Sequence, residues 1–171
     1  MHELKAPSLM ALAGESLTPF ELTRLVAASP SLARQTRGRG EPVLVLPGLG
    51  ASNSSTALLR SYLSWLGYSV QGWTLGSPVV GGPKYTSMGA LYTRNGGNLD
   101  DIEAAIAARE STPIKVPVTS IYSKRDGIVG WQASIDRHSS DIEHIEVRAT
   151  HLGLGFSPEV FKILARKLAN T

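Results

Sequence analysis

The chain has 171 residues, of which 42% are hydrophobic and 18% charged, with a formal net charge of +3; this fits one globular domain, residues 1–171, whose core needs neither a disulfide nor a metal. The sequence contains no cysteine, which excludes disulfides, a thiolate nucleophile and cysteine-ligated zinc or iron–sulfur sites. No apolar run reaches the ~20 residues of a membrane span, and the first residues do not resemble a secretory signal, so we expect a cytoplasmic protein. No pattern for nucleic-acid binding is present, so we expect no nucleic-acid partner.

The first predicted element is a helix that begins at Thr18. The pattern Thr18-Pro19-Phe20-Glu21 is typical of a capping box, in which the threonine accepts from first-turn amides and the glutamate reaches back. The region from Pro30 to Gly40 then breaks the chain into a polar link. We therefore expect a leading helical segment over residues 1–40 and a sheet core over 41–171.

Residues 42–73 have the pattern of a strand–helix–strand unit. Residues 42–46 form an apolar run that predicts a strand buried on both faces, and a sharp turn follows at 47–50. A helix with apolar residues at helical spacing comes next, with Gly67 at its C-terminal cap position. Residues 68–73 then predict a second strand. Two strands joined in this way pair in parallel through a right-handed crossover.

The second half of the chain predicts further alternation of helices and strands. Residues 76–98 are rich in glycine and proline and predict a loop, after which Asn98 begins a helix. Residues 117–122 and 145–148 predict a third and a fourth strand. A final helix opens at Ser157-Pro158-Glu159 and carries an apolar stripe. The predicted class is α/β, a parallel sheet of about four strands flanked by helices.

Two reactive side chains follow the predicted third and fourth strands, where open parallel sheets gather their chemistry. Asp126 lies after the third strand and His151 after the fourth. A carboxylate on one strand end can fix the tautomer of an imidazole on the next and stabilise its protonated form during general-base catalysis. Asp126 before glycine could equally be a turn former, and a histidine without context is more often a surface residue.

Three stretches of the sequence resemble bacterial α/β-hydrolases of the lipase/esterase type. They are EPVLVLPGLGASNSSTALLRSYLSWLGYSVQGWTLG at 41–76, IYSKRDGIVGWQAS at 121–134 and IEVRATHLGLG at 145–155. The resemblance implies a reduced α/β-hydrolase-like sheet, with Asp126 as the acid and His151 as the base of a catalytic triad. It also implies that backbone amides near Leu49 and Gly50 hold the oxyanion.

The sequence lacks the G-x-S-x-G motif that carries the nucleophile in this family. Two family segments are joined near Gly76, and the missing piece corresponds to about two strand–helix units, on the order of 60 residues. The chain therefore resembles a shortened member, natural or engineered, or an inactive remnant. The candidate nucleophiles are Ser52, Ser54 and Ser55 after the first strand and Ser77 after the second. As an alternative role, Ser54 or Ser55 could cap the following helix.

We therefore expect a serine-type hydrolase that cleaves small carboxylic esters with short acyl chains and uses no cofactor and no metal. The alternative is a non-catalytic α/β-hydrolase-like binding or scaffold module that has lost its nucleophile. Loss of interior strands would leave an unpaired sheet edge. Because exposed edges favour pairing with another chain, we also expect a homo-oligomer.

Overall fold

The computed structural model describes residues 7–46, 53–72, 116–137 and 139–170, together with residues 86, 93, 94 and 104. The helices in this part of the chain are α1 (Leu9–Gly14), α2 (Thr18–Leu32), α3 (Ala57–Trp65) and α4 (Pro158–Leu168). The strands are β1 (Pro42–Val45), β2 (Ser69–Gly72), β3 (Val118–Tyr122) and β4 (Ile142–Glu146). Short 3₁₀ turns lie at Glu15–Leu17, Asn53–Thr56, Trp131–Ser134 and Leu152–Phe156. The chain is thus a mixed α/β protein with short parallel strands.

The chain divides into two compact units. The first unit combines Met1–Ser16 with Val80–His151, and the second combines Leu17–Val79 with Leu152–Thr171. No helix among the described residues is long and apolar enough to cross a membrane.

The second unit contains the predicted strand–helix–strand arrangement, which is confirmed. β1 and β2 pair in parallel, from Pro42 opposite Ser69 to Val45 opposite Gly72, and α3 connects them. The helix stops where predicted, because Gly67 has a φ of 103° that L side chains rarely adopt. A Cβ atom at that position would also lie 2.8 Å from the carbonyl oxygen of Gly38. Gly67 therefore ends α3 and lets two backbone segments approach each other.

α4 supplies much of the core of the second unit. Its predicted apolar stripe is confirmed at Val160 and Phe161, which are buried. Phe161 forms one cluster with Leu25 and Leu32 of α2. Ala165 of α4 belongs to a second cluster, whose other buried members are Leu63, Leu66 and Tyr68. Apolar packing between the helices is therefore a main source of cohesion in this unit.

The first unit is built on β3 and β4, which pair in parallel from Val118 opposite Ile142 to Tyr122 opposite Glu146. The pairing ends with the backbone N–H of Val147 donating to the carbonyl oxygen of Tyr122 at 2.8 Å. Because the two strands end at the same level, the loops that follow them start side by side. This sheet geometry positions the candidate site.

The described strands form two two-stranded sheets rather than the single sheet of about four strands that we predicted. β1 pairs with β2 and β3 pairs with β4, so each of the two sheets lies within one unit. The prediction that β1 is buried on both faces is also wrong. Val43 and Val45 pack against the cluster around Leu63, whereas Leu44 on the other face is 54% exposed. Among the described residues, β1 therefore packs against the core with one face and exposes the other.

Three smaller predictions also need correction. α2 begins at Thr18, but its N-cap is Leu17, which makes no side-chain capping bond. The Glu21 carboxylate, which the predicted capping box assigns to a first-turn amide, binds Arg24 at 2.8 Å. α2 continues through Pro30 to Leu32, although the proline cannot donate the helical hydrogen bond at its own position. The fourth strand, predicted to start at residue 145, starts at residue 142.

Some predictions concern residues outside the described part of the chain. These are the turn at 47–50, most of the loop at 76–98 and most of the helix from Asn98.

Candidate functional site

A buried serine ties together the two loops that follow β3 and β4. Ser123, which is 2% exposed, donates from its hydroxyl to the carbonyl oxygen of Ala149 at 2.6 Å. The same hydroxyl oxygen accepts from the backbone N–H of Arg125 at 3.0 Å. Both hydrogen-bonding capacities of a buried hydroxyl are therefore met, which stabilises the loops by roughly 1 kcal/mol per bond. The sequence reasoning missed Ser123, although a hydroxyl directly after a strand is the available signal.

Asp126 uses its two carboxylate oxygens for different purposes. Oδ1 accepts from the backbone N–H groups of Ile128 at 2.9 Å and Val129 at 2.7 Å. These bonds form the turn that was the alternative explanation for an aspartate before glycine. Oδ2 faces His151. The turn therefore orients the carboxylate, and the two interpretations of Asp126 are compatible.

The structure brings His151 and Asp126 together. Nδ1 of the imidazole lies 2.8 Å from Oδ2 of Asp126. The carboxylate side chain is 9% exposed, whereas the imidazole is 31% exposed. Because Nδ1 faces the carboxylate, it carries the proton in the neutral ring, and Nε2 is the nitrogen that could accept one. A partly accessible imidazole oriented by a buried carboxylate is the acid–base half of the arrangement used in general-base catalysis.

The pKa of His151 is raised above its ordinary value of 6.5. The main cause is the hydrogen bond that Nδ1–H donates to the Asp126 carboxylate, which stabilises the imidazolium, while partial burial opposes the shift. The negative charges of Asp126 and Glu15 raise it further. Glu15 reaches this place from the turn after α1, where its Oε1 accepts from the backbone N–H groups of Gly127 and His151. The sequence reasoning did not identify Glu15.

Lys124 lies two residues before Asp126 in the sequence, but its ammonium pairs with a different carboxylate. Its ammonium lies 2.7 Å from Glu146 at the end of β4 and 5.4 Å from the ring centroid of Trp131. The hydrogen bond that the ammonium donates to Glu146 raises the pKa of Lys124. Asp126 therefore directs its charge to His151 rather than to this lysine.

The raised pKa of His151 makes folding stability depend on pH. A histidine that binds its proton more tightly in the folded than in the unfolded chain contributes its full stabilisation below about pH 6.5 and loses it as the pH rises through the folded pKa. We expect the free energy of unfolding of the wild type to fall between about pH 6 and pH 9 by more than that of His151→Asn. Urea denaturation at both pH values measures this. His144→Asn controls for the replacement of a histidine elsewhere in the first unit, where Nε2 of His144 accepts from the backbone N–H of Asp136. Equal pH dependence in the wild type and His151→Asn would contradict the prediction.

Two of the four candidate nucleophiles, Ser54 and Ser55, lie in the described part of the second unit. Ser54 and Ser55 are exposed residues of the 3₁₀ turn at Asn53–Thr56. The N-cap of α3 is Thr56, so neither serine occupies the cap position that was their alternative role. Ser52 and Ser77, together with Leu49 and Gly50 of the predicted oxyanion loop, lie outside the described residues.

The described side chains contain no group of three histidine, aspartate or glutamate residues that could hold a metal ion. The chemistry that this part of the chain offers is proton transfer through the imidazole of His151, oriented by Asp126. Comparison of the chain with protein-family models, with curated proteins and with solved structures found no match.

Proposed function

We propose that the protein is a serine-type hydrolase that cleaves carboxylic esters with short acyl chains. The observation that carries this proposal is the 2.8 Å contact between Nδ1 of His151 and Oδ2 of Asp126, on loops that follow two paired parallel strands. Such a pair converts a weakly acidic serine hydroxyl into a nucleophile by taking its proton. The resemblance of the chain to bacterial α/β-hydrolases supports the same chemistry, and with it a reduced α/β-hydrolase-like sheet.

In the proposed reaction, a serine oxygen attacks the ester carbonyl while Nε2 of His151 takes the hydroxyl proton. Collapse of the tetrahedral intermediate breaks the bond to the alcohol, which leaves with that proton. A water molecule then repeats the sequence on the acyl-enzyme and releases the acid and the free serine. Asp126 stabilises the imidazolium that forms in each half, and backbone amides near Leu49 hold the oxyanion by analogy with the family.

The nucleophile in this proposal is one of the four serines Ser52, Ser54, Ser55 and Ser77. The first three belong to the stretch that most nearly approximates the missing motif, and Ser77 follows the second predicted strand. The absence of G-x-S-x-G from the sequence favours a second candidate function, a non-catalytic binding or scaffold module with an α/β-hydrolase-like fold. In that case the Asp126–His151 contact stabilises the loops alone.

A fluorophosphonate probe followed by peptide mass spectrometry separates the two candidates, because the probe reacts with an activated serine. We expect one of the four serines to be labelled, and His151→Ala to slow labelling at least ~100-fold because the general base is lost. His144→Ala should be labelled at the wild-type rate, which controls for loss of any histidine. If the folded wild type is not labelled and does not hydrolyse p-nitrophenyl acetate above the buffer rate, the non-catalytic module is correct.

A further inference from the structure

Glu15 joins the two loops that carry Asp126 and His151. Its Oε1 accepts from the backbone N–H of Gly127 at 2.9 Å and from that of His151 at 2.7 Å. The first amide directly follows Asp126 in the sequence, and the second belongs to the histidine itself. Hydrogen bonds to an ionised oxygen are roughly twice as strong as neutral ones. A single side chain therefore fixes the distance between the two loops.

Backbone contact holds α1 against the same loop. A Cβ atom at Gly127 would overlap the carbonyl group of Ala11 and lie 2.7 Å from Cα of Leu12. Only glycine lets the two backbones approach this closely. Because Glu15 directly follows α1, this approach delivers its carboxylate to the two amides. The close approach of α1 to Gly127 and the hydrogen bonds of Glu15 are two separate observations, and both place Glu15 beside the loops that carry Asp126 and His151.

The carboxylate of Glu15 also acts on the imidazole by its charge. The charged groups that face His151 in the described chain are Asp126 and Glu15, and both raise the pKa of the imidazole. Asp126 does so mainly by accepting the hydrogen bond of Nδ1–H, and Glu15 does so through the electrostatic effect of its charge. A change at Glu15 should therefore be detectable at His151 without any measurement of activity.

We propose that Glu15 is a positioning residue for the Asp126–His151 pair, and that the amides of Gly127 and His151 form a carboxylate-binding site that Glu15 fills from within the chain. Glu15 acts through the loops and the imidazole and does not take part in proton transfer. The inference deepens the proposed function, since the pair it positions is the proposed acid and base. The hydrogen bonds on which it stands do not depend on that function.

Glu15→Gln and Glu15→Ala separate the charge from the hydrogen bonds. Glutamine keeps an oxygen for the two amides but removes the charge, so the pKa of His151, measured by NMR of its imidazole, should fall while ester hydrolysis is largely retained. Alanine removes both, so kcat should drop about 10-fold or more with little change in KM, because the pair is no longer held in place. Formate in the buffer should occupy the vacated site of Glu15→Ala and restore most of the lost kcat and part of the imidazole pKa.

Glu41→Ala is the matched control, since Glu41 also accepts a backbone N–H, that of Arg39, but in the second unit. It should change neither the His151 titration nor the response to formate. Folded Glu15→Ala with a wild-type kcat and an unaltered His151 imidazole signal would overturn the proposal. If Glu15→Ala does not fold, unchanged amide proton shifts of Gly127 and His151 in the nearly isosteric Glu15→Gln would overturn it, since both amides donate to the Glu15 carboxylate. A wild type without labelling or ester hydrolysis refutes the proposed function alone, because the titration and its rescue by formate still decide the role of Glu15.

Discussion

Asp126→Asn is expected to lower kcat for ester hydrolysis by roughly 10³- to 10⁴-fold, although asparagine has nearly the same shape as aspartate. The reason lies in the turn that Asp126 forms. Oδ1 accepts from the backbone N–H groups of Ile128 and Val129, so the carbonyl oxygen of asparagine must take that position. Its NH₂ group then faces Nδ1 of His151, where the wild type has a carboxylate oxygen.

An amide NH₂ group can only donate, so Nδ1 of His151 must accept, and the ring proton moves to Nε2. In this tautomer Nε2 cannot take a proton from a serine hydroxyl. The variant therefore keeps the loop geometry and loses the base, and no compensating flip of the amide is available without breaking two backbone hydrogen bonds.

Two measurements check this expectation. Steady-state kinetics with a p-nitrophenyl ester gives kcat, and NMR titration should show a lower pKa for His151 because the neighbouring negative charge is gone. Asp136→Asn is the matched control. Oδ1 of Asp136 forms a comparable turn by accepting from the backbone N–H of Ser139 at 3.2 Å. Oδ2 of Asp136 accepts from the Ser139 hydroxyl at 2.6 Å, whereas Oδ2 of Asp126 faces a histidine. Full activity of Asp126→Asn would show that Asp126 does not orient a catalytic base.

The features that could be predicted from the sequence are those that depend on residues close together in the chain. The strand–helix–strand unit from Pro42 to Gly72 follows from one apolar run, one helical pattern and a terminating glycine. The Asp126–His151 contact could be predicted because both residues directly follow strands, and adjacent parallel strands end at the same level. In each case a local pattern and one rule of sheet geometry were sufficient.

The features that escaped prediction depend on contacts between distant parts of the chain. Glu15 binds amides 112 and 136 residues away, and no local pattern distinguishes it from a solvent-exposed glutamate before a helix. The pairing of strands into two sheets instead of one is equally non-local. The ion pair between Arg24 and Glu21 in the first turns of α2 was not predicted either, although the two residues lie at helical spacing and form charge-assisted bonds.

Phe161→Ala is expected to destabilise the protein by about 3–5 kcal/mol, a large fraction of the roughly 5–15 kcal/mol that folded domains possess. Phe161 is 1% exposed and is the largest fully buried side chain in the described chain. Its ring packs against Leu25 and Leu32 and lies 5.1 Å, between centroids, from that of Tyr62. Removing the ring leaves a cavity between helices α2, α3 and α4. Because the surrounding side chains are closely packed, they cannot fill this cavity unless a helix moves. The gain in helix propensity from alanine is only a few tenths of a kcal/mol.

Urea denaturation followed by circular dichroism measures this loss, and Phe20→Ala provides the matched control. Phe20 lies on α2 and is 69% exposed, so its removal should change the free energy of unfolding by less than about 0.5 kcal/mol. Phe161 belongs to the second unit and His151 to the first, so the imidazole NMR signal reports separately on the first unit. If the chain is one domain, as its length predicts, both signals should shift to lower urea concentration together in Phe161→Ala. A His151 signal that stays at the wild-type midpoint while the helical signal shifts would show instead that the two units unfold independently.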